Sequence, residues 1–309
     1  MDRYTDPVVL IAALVAVAAG ITIVCLLARP AGWAAALFLG TVVIVPGVLA
    51  PDPVLPVAVA VAAWFARRWI AQGTVQPQAF ARFGLQLGCI VAGYAIYSLT
   101  RMRVEPGSRE AISNARDLID FERSLSAFFE GSLQDLLARG LLTDIFNALY
   151  LYAYWPLPIV ALFVLYLRDR TGFRILRDSL AISAVLALIT FAVFPVAPPR
   201  LMPGLGIFDT IDPVGQARVV SNQFAAVPSL HVGWPALVGL LMYARGSGWI
   251  RGLAPVPAAV MFITIIVTGN HYWLDAVVGI AFALTPAVYM LAIDHELSDR
   301  ISRDRPIQV

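Results

Sequence analysis

Apolar residues run in long blocks along this chain, and most charges are confined to the stretches between them. Blocks long enough to cross about 30 Å of hydrocarbon fall near 7–28, 32–50, 82–100, 145–167, 176–194, 249–268 and 272–293, with shorter ones at 53–66 and 229–243. They predict an all-α, polytopic membrane helix bundle with about nine spans. The Pro51-Asp52-Pro53 turn closes the second and third spans into a hairpin. The first block is long and has no basic flank before it, so a cleavable leader is not expected.

Two of the intervening stretches have patterns of their own. Between Ala111 and Phe129, Ile112, Leu118, Ile119, Leu125 and Phe128 recur at helical spacing among Arg116, Asp117, Glu122 and Arg123. That pattern predicts an amphipathic helix, lying on the outer leaflet or capping the bundle. Residues 195–228 hold Pro195, Pro198, Pro199, Pro203, Gly204, Gly206, Pro213 and Gly215, too many breakers for a helix. Irregular backbone beside a membrane is tolerated where protein buries it or where it lines a wet cavity. The expected organisation is a four-helix module at 1–100, an extracytoplasmic amphipathic segment at 101–143, a transmembrane core at 144–293 and a cytoplasmic tail at 294–309.

Composition agrees with a membrane protein. The chain is 60% hydrophobic and 14% charged, too apolar for a soluble globule. A net charge of +2 and the lack of a basic stripe argue against a nucleic-acid partner. Cys25 and Cys89 both fall inside predicted spans, so no disulfide framework is expected. All 22 basic residues are arginine, which removes lysine Schiff-base or lysine phosphate-clamp chemistry. One alternating set of loops carries 13 arginines against six acids; the other carries nine against 13. By the excess of positive charge on cytoplasmic loops, the first set faces the cytoplasm. The N-terminus is then outside a cell membrane and the C-terminus inside.

Chemistry concentrates in two phrases that this orientation puts at the outer face. They are Pro228-Ser229-Leu230-His231 and Asn270-His271-Tyr272-Trp273-Leu274-Asp275, each opening an apolar stretch. On a helix His271 and Asp275 stand at i and i+4 on one face. A carboxylate one turn from an imidazole fixes its tautomer and raises its basicity, as an activated nucleophile or base requires. His231 nearby supplies a complementary acid. The third histidine, His295, lies in the charged C-terminal tail and is expected to be solvated. Tyr272, Trp273 and Trp234 are expected as interfacial packing.

With Ala197-Pro198-Pro199-Arg200 ahead of them, these phrases resemble the type-2 phosphatidic acid phosphatase superfamily, and within it the inositol phosphorylceramide synthase-like branch. The flanking words Ser221-Asn222-Gln223-Phe224, Val232-Gly233-Trp234 and Gly269-Asn270 add to the likeness, which covers roughly 101–293. The resemblance implies a six-helix core and a phosphohistidine mechanism without metal or other cofactor. It implies that His271 attacks phosphorus and Asp275 orients it. His231 protonates the leaving alkoxide, and Arg200 and Ser229 hold the non-bridging oxygens. Such roles suit phosphoryl transfer, which needs an in-line nucleophile and cations or donors on the equatorial oxygens. Asn270, Asp209 and Arg218 are further candidate substrate contacts, although Asp209 and Asp212 also suit turns.

The chain departs from the phosphatase pattern where cations are expected. The lysine seven residues before the first-motif arginine is Val193, and the arginine six residues before the third-motif histidine is Ile265. Leu201 and Leu230 replace a proline and a glycine. A phosphomonoester is nearly a dianion at neutral pH and a diester is a monoanion, so fewer cations suit the diester. The expected function is a lipid phosphotransferase that moves a phospho-head group from a phospholipid or polyprenyl-linked lipid to an alcohol or water. A lipid phosphate phosphatase is the alternative within the family. A transporter with an intramembrane His/Asp relay is the alternative outside it, and would call for broken helices in paired halves. A zinc site built on the two histidines and Asp275 lacks further ligands at suitable spacing.

Overall fold

The computed structural model describes residues 108–153, 156–211 and 222–303, with isolated positions between 85 and 101. The chain divides into two compact units, Met1–Thr100 and Arg101–Val309. Of the first unit only scattered helical positions are described, so the spans expected at 7–28, 32–50 and 53–66, and Cys25, lie outside the described residues.

In the second unit every regular element is helical among the described residues. The order is α1 (Ser108–Ser124), α2 (Glu130–Leu137), α3 (Leu141–Ala148), a single π-helical turn (Leu149–Ala153), α4 (Pro156–Arg168), α5 (Arg170–Val193), α6 (Leu230–Arg245), α7 (Trp249–Gly252), α8 (Val256–Val267) and α9 (Trp273–Arg303). Among the described residues, three stretches are long and apolar enough to cross a membrane: Arg170–Val193, Trp249–Val267 and Trp273–Leu297. They coincide with the predicted blocks at 176–194, 249–268 and 272–293, and they associate the protein with a membrane. The block predicted at 145–167 is divided. It holds the end of α3, the π turn and α4, and α4 opens at Pro156, whose missing N–H and fixed φ suit a first helical position. At the other end α9 continues to Arg303, well past the expected limit at 293.

The unit is assembled around a close crossing of α6 and α9. A Cβ on Gly233 would lie 2.3 Å from the Gly279 carbonyl oxygen, and one on Gly279 would lie 2.0 Å from that of Ser229. Small side chains let the two backbones touch, as in tightly packed membrane helices. The contact includes a hydrogen bond from Ser229 N to Asp275 O at 2.8 Å, so the two histidine phrases are fastened to each other through main chain. Trp234 on α6 is buried against α5 and donates its indole N–H to Ser183 Oγ at 3.1 Å. The same helices are clamped at their far end. Arg245 forks onto Asp169 (2.6 and 2.9 Å) and also reaches Asp294 at 3.0 Å. Asp169 meanwhile caps α5 by accepting from Gly172 N.

The amphipathic segment packs on protein. Ala111, Ala115 and Ile119 of α1 are buried in a cluster with Val196, Ala197, Met202, Ala226, Val227 and Tyr272, and Ile112, Leu118 and Phe128 pack against it. Leu125, expected on the same face, is exposed. Further contacts tie the segment to the breaker-rich loop: Ala197 N donates to Ala111 O, and Asn114 Nδ2 to Pro195 O.

Candidate active site

Two arms of the breaker-rich loop lie side by side over the start of α9. Val196 and Ala225 form an isolated parallel bridge, with Val196 N donating to Phe224 O and Ala226 N to Val196 O. This pairing delivers the Ala226 carbonyl to His271. At the end of α8 the chain turns through Gly269, whose φ of +69° is readily available only to glycine. A Cβ there would also lie 2.6 Å from the Phe208 carbonyl oxygen. Asn270 N and His271 N then both donate to Ile265 O, which fixes the height at which His271 leaves the turn.

His271 is held at one nitrogen. Its Nδ1 lies 2.8 Å from Ala226 O and 3.1 Å from Asp275 Oδ2. A backbone carbonyl can only accept, so Nδ1 carries the proton and the lone pair is on Nε2. Asp275 is fully buried, and its Oδ2 also accepts from Tyr272 N at 2.9 Å. The His231 and His271 ring centroids are 5.7 Å apart at 52°.

Arg200 lies in a short 3₁₀ turn, Pro199–Leu201, whose position is set by a hydrogen bond from Arg200 N to Gly269 O at 3.1 Å. Its side chain is 5% exposed and its Nε meets Asp209 Oδ2 at 3.0 Å. Asp209 Oδ1 accepts from Ile211 N, so this aspartate serves both a turn and Arg200. Ser229 stands at the N-cap position of α6, but its hydroxyl makes no capping bond; Ser229 Oγ is buried without a partner. Asn270 is buried and its amide donates to Thr268 O. Arg218 lies outside the described residues. His295 is exposed, as expected. Tyr272 is wholly buried and donates its hydroxyl to Ala197 O at 3.1 Å, so it is a core anchor and not an interfacial residue. The two positions where cations were expected differ: Val193 is exposed, whereas Ile265 is fully buried.

Four residues join the site that sequence reasoning did not assign to it. Tyr150, in the π turn, stacks on His231 with ring centroids 4.2 Å apart and 14° between planes, and lies 6.4 Å from His271. Only its place in a tyrosine-bearing apolar run could have signalled it; π turns are frequent at functional sites. Glu122, Glu130 and Gln134 are all buried beneath the start of α9 and the end of α8. Gln134 Nε2 donates to Phe208 O and Val267 O while its Oε1 accepts from Phe208 N, pinning the Asp209 loop. The signal for Glu122 was positional: it continues the buried face 111, 115, 119 at helical spacing.

A sequence model of the PAP2 superfamily matches residues 116–289, more than half of the chain. The chain belongs to the PAP2 superfamily. The match spans the first-motif arginine, both histidine phrases and the glutamates below them. Membership makes the protein an enzyme of membrane lipid phosphate chemistry, a phosphatase or phosphotransferase. No curated protein and no solved structure matches it. The geometry of this PAP2 chain is compatible with that chemistry: two imidazoles lie 5.7 Å apart, one with a fixed tautomer, and the first-motif guanidinium is buried against Asp209.

Proposed function

We propose that the protein is an inositol phosphorylceramide synthase-like phosphotransferase that moves a diester-borne phospho-head group from lipid to an alcohol, through a phosphohistidine at His271. The observation that carries this reading is the double anchoring of His271 Nδ1 on Ala226 O and Asp275, which presents Nε2 as the nucleophile. Nε2 attacks phosphorus and the bond to the lipid oxygen breaks, with His231 giving that oxygen a proton. The acceptor hydroxyl then attacks phosphorus, the P–N bond breaks, and His231 takes the proton. Acid–base help of this kind is worth about 10²–10⁴-fold. Arg200 and the Ser229 hydroxyl hold the non-bridging oxygens. The site faces the extracytoplasmic side, on the arginine asymmetry of the loops.

Charge balance supports a diester. Arg200 is matched by Asp209 at 3.0 Å. Arg101, whose guanidinium packs on Phe191 at 5.4 Å, adds a cation whose charge is felt at His231. Two arginines, one of them paired with Asp209, suit a phosphodiester monoanion better than a phosphomonoester dianion where the local dielectric is low.

The test uses purified protein and a panel of labelled phospholipids, read by mass spectrometry with and without alcohol acceptors. Diester donors should turn over faster than phosphatidic acid, and the head group should appear on the acceptor. Asp209→Asn, which unmasks the Arg200 charge, should shift turnover toward phosphatidic acid. Phosphatidic acid cleaved much faster than any diester by the unmodified protein overturns the phosphotransferase reading in favour of a lipid phosphate phosphatase.

A further inference from the structure

We propose that Glu122 and Glu130 share a single proton and together seat the N-terminus of α9, making them positioning residues for the His271–Asp275 pair. The inference rests on the phosphoryl-transfer reading for its effect on turnover. Its structural basis is independent of that reading.

Both side chains are buried, at 0% and 1% exposure, outside the membrane-spanning helices. They come from different helices, α1 and α2, on either side of a tight turn at Ser126 (φ 55°), and they converge on one point of α9. Glu122 Oε1 accepts from Leu274 N at 3.2 Å and Glu130 Oε1 from Trp273 N at 3.1 Å. With Tyr272 N bound to Asp275 Oδ2 at 2.9 Å, three successive backbone N–H groups each end on a carboxyl oxygen. The first N–H groups of a helix lack intrahelical partners and carry partial positive charge, so carboxyl oxygens suit them.

Three buried carboxyl groups around one helical turn cannot all be ionised at low cost. The two glutamates lie near enough to act on each other's titration, and a proton shared between them relieves the repulsion. No donor reaches Glu122 Oε2. Carrying the shared proton, that oxygen is itself the donor, to Glu130. Burial first, and then the neighbouring Glu130 charge, push the Glu122 carboxyl up to about 9. Burial also raises Glu130, against the opposing hydrogen bonds from Trp273 N and Glu122. The titratable groups that face the pair from α9 and the turn before it are Asp275 and Tyr272; neither is a cation.

The consequence has a definite sign. Glu122 keeps its proton in the folded protein well above the 4.5 of an ordinary glutamate. The seat is therefore intact through neutral pH and fails as pH rises through about 9. Two adjacent buried carboxylates then repel, the first turn of α9 is released, and Asp275 loses its register with His271.

Glu122→Gln tests the idea, because the amide donates to Glu130 and accepts from Leu274 N at every pH. Full-length protein in nanodiscs is assayed from pH 6 to 10.5 on the labelled phospholipid panel. Hydrogen exchange of peptides covering 271–277 is followed over the same range. The unmodified protein should lose turnover, and protection beyond the intrinsic pH dependence of exchange, above about pH 9. Glu122→Gln should keep both. Glu122→Ala should lower kcat at least tenfold with KM within threefold. If Glu122→Gln shows the same alkaline loss of protection as the unmodified protein, the shared-proton seat is wrong. If no phospholipid is turned over at all, the phosphotransfer reading fails, and the exchange comparison still decides on the seat. Should Glu122→Ala not fold, the Glu122→Gln comparison carries the test alone.

Discussion

The Ala226 carbonyl on His271 Nδ1 divides a job that an aspartate often performs alone. Where a triad aspartate sets both tautomer and charge, its amide replacement costs about 10⁴-fold. Here a main-chain acceptor at 2.8 Å keeps the proton on Nδ1 whatever stands at position 275. Asp275→Asn should therefore cost less, about 10²-fold in kcat, reflecting lost charge stabilisation without a tautomer error. Single-turnover rates compared with the His271→Ala background would measure it; a loss as complete as that of His271→Ala would show that Asp275 alone sets the tautomer. Residue identity made the pair legible, because a four-residue spacing is a local property, although His271 lies in the turn before α9 and not on the helix as expected. The Ala226 contact was not legible, because it joins positions 45 apart through a loop pairing that no periodicity encodes.

At the scale of elements, the crossing of α6 and α9 decides whether the two phrases meet. A methyl on Gly279 would have to occupy space 2.0 Å from the Ser229 carbonyl oxygen, and backbone cannot yield as a flexible side chain does. Gly279→Ala should destabilise the unit by about 1–3 kcal/mol, as overpacking does, and should lower turnover further by parting Ser229 and His231 from Asp275. Gly252→Ala, with nothing within 4 Å of the added carbon, is the matched control and should be near neutral. Thermal unfolding in detergent compares the two. The glycines were visible in the sequence, but their partners were not: the length of an apolar run reveals a helix and says little about which neighbour it touches. The amphipathic segment shows the same limit. Its period gave a helix, while the burial of Glu122 and Glu130 depends on where that helix docks.

For the whole molecule, the Arg245 fork onto Asp169 and Asp294 gathers three arginine-rich segments at one end of the helices whose other end carries the histidines. The loop charges assign these segments to one membrane face, the cytoplasmic one, as an expectation still to be tested. Labelling of single cysteines, in a background lacking Cys25 and Cys89, turns this into a topological prediction. Gln216→Cys should react with an impermeant reagent added outside, and Ser247→Cys only after permeabilisation. The opposite pattern would invert the proposed orientation. The helical class, and the closeness of His231, His271 and Asp275, were readable from patterning and motifs. The support beneath them was not, because buried carboxyl groups look like surface charges until the packing is known.

In the proposed mechanism the anchoring of His271 would also fix which isomer of the intermediate forms. With Nδ1 committed to its proton, the phosphoryl group of the proposed mechanism sits on Nε2, giving 3-phosphohistidine and not the 1-isomer. Such a phosphoramidate hydrolyses in acid and survives in base, so an acidic quench would erase the covalent species while an alkaline one would preserve it for detection.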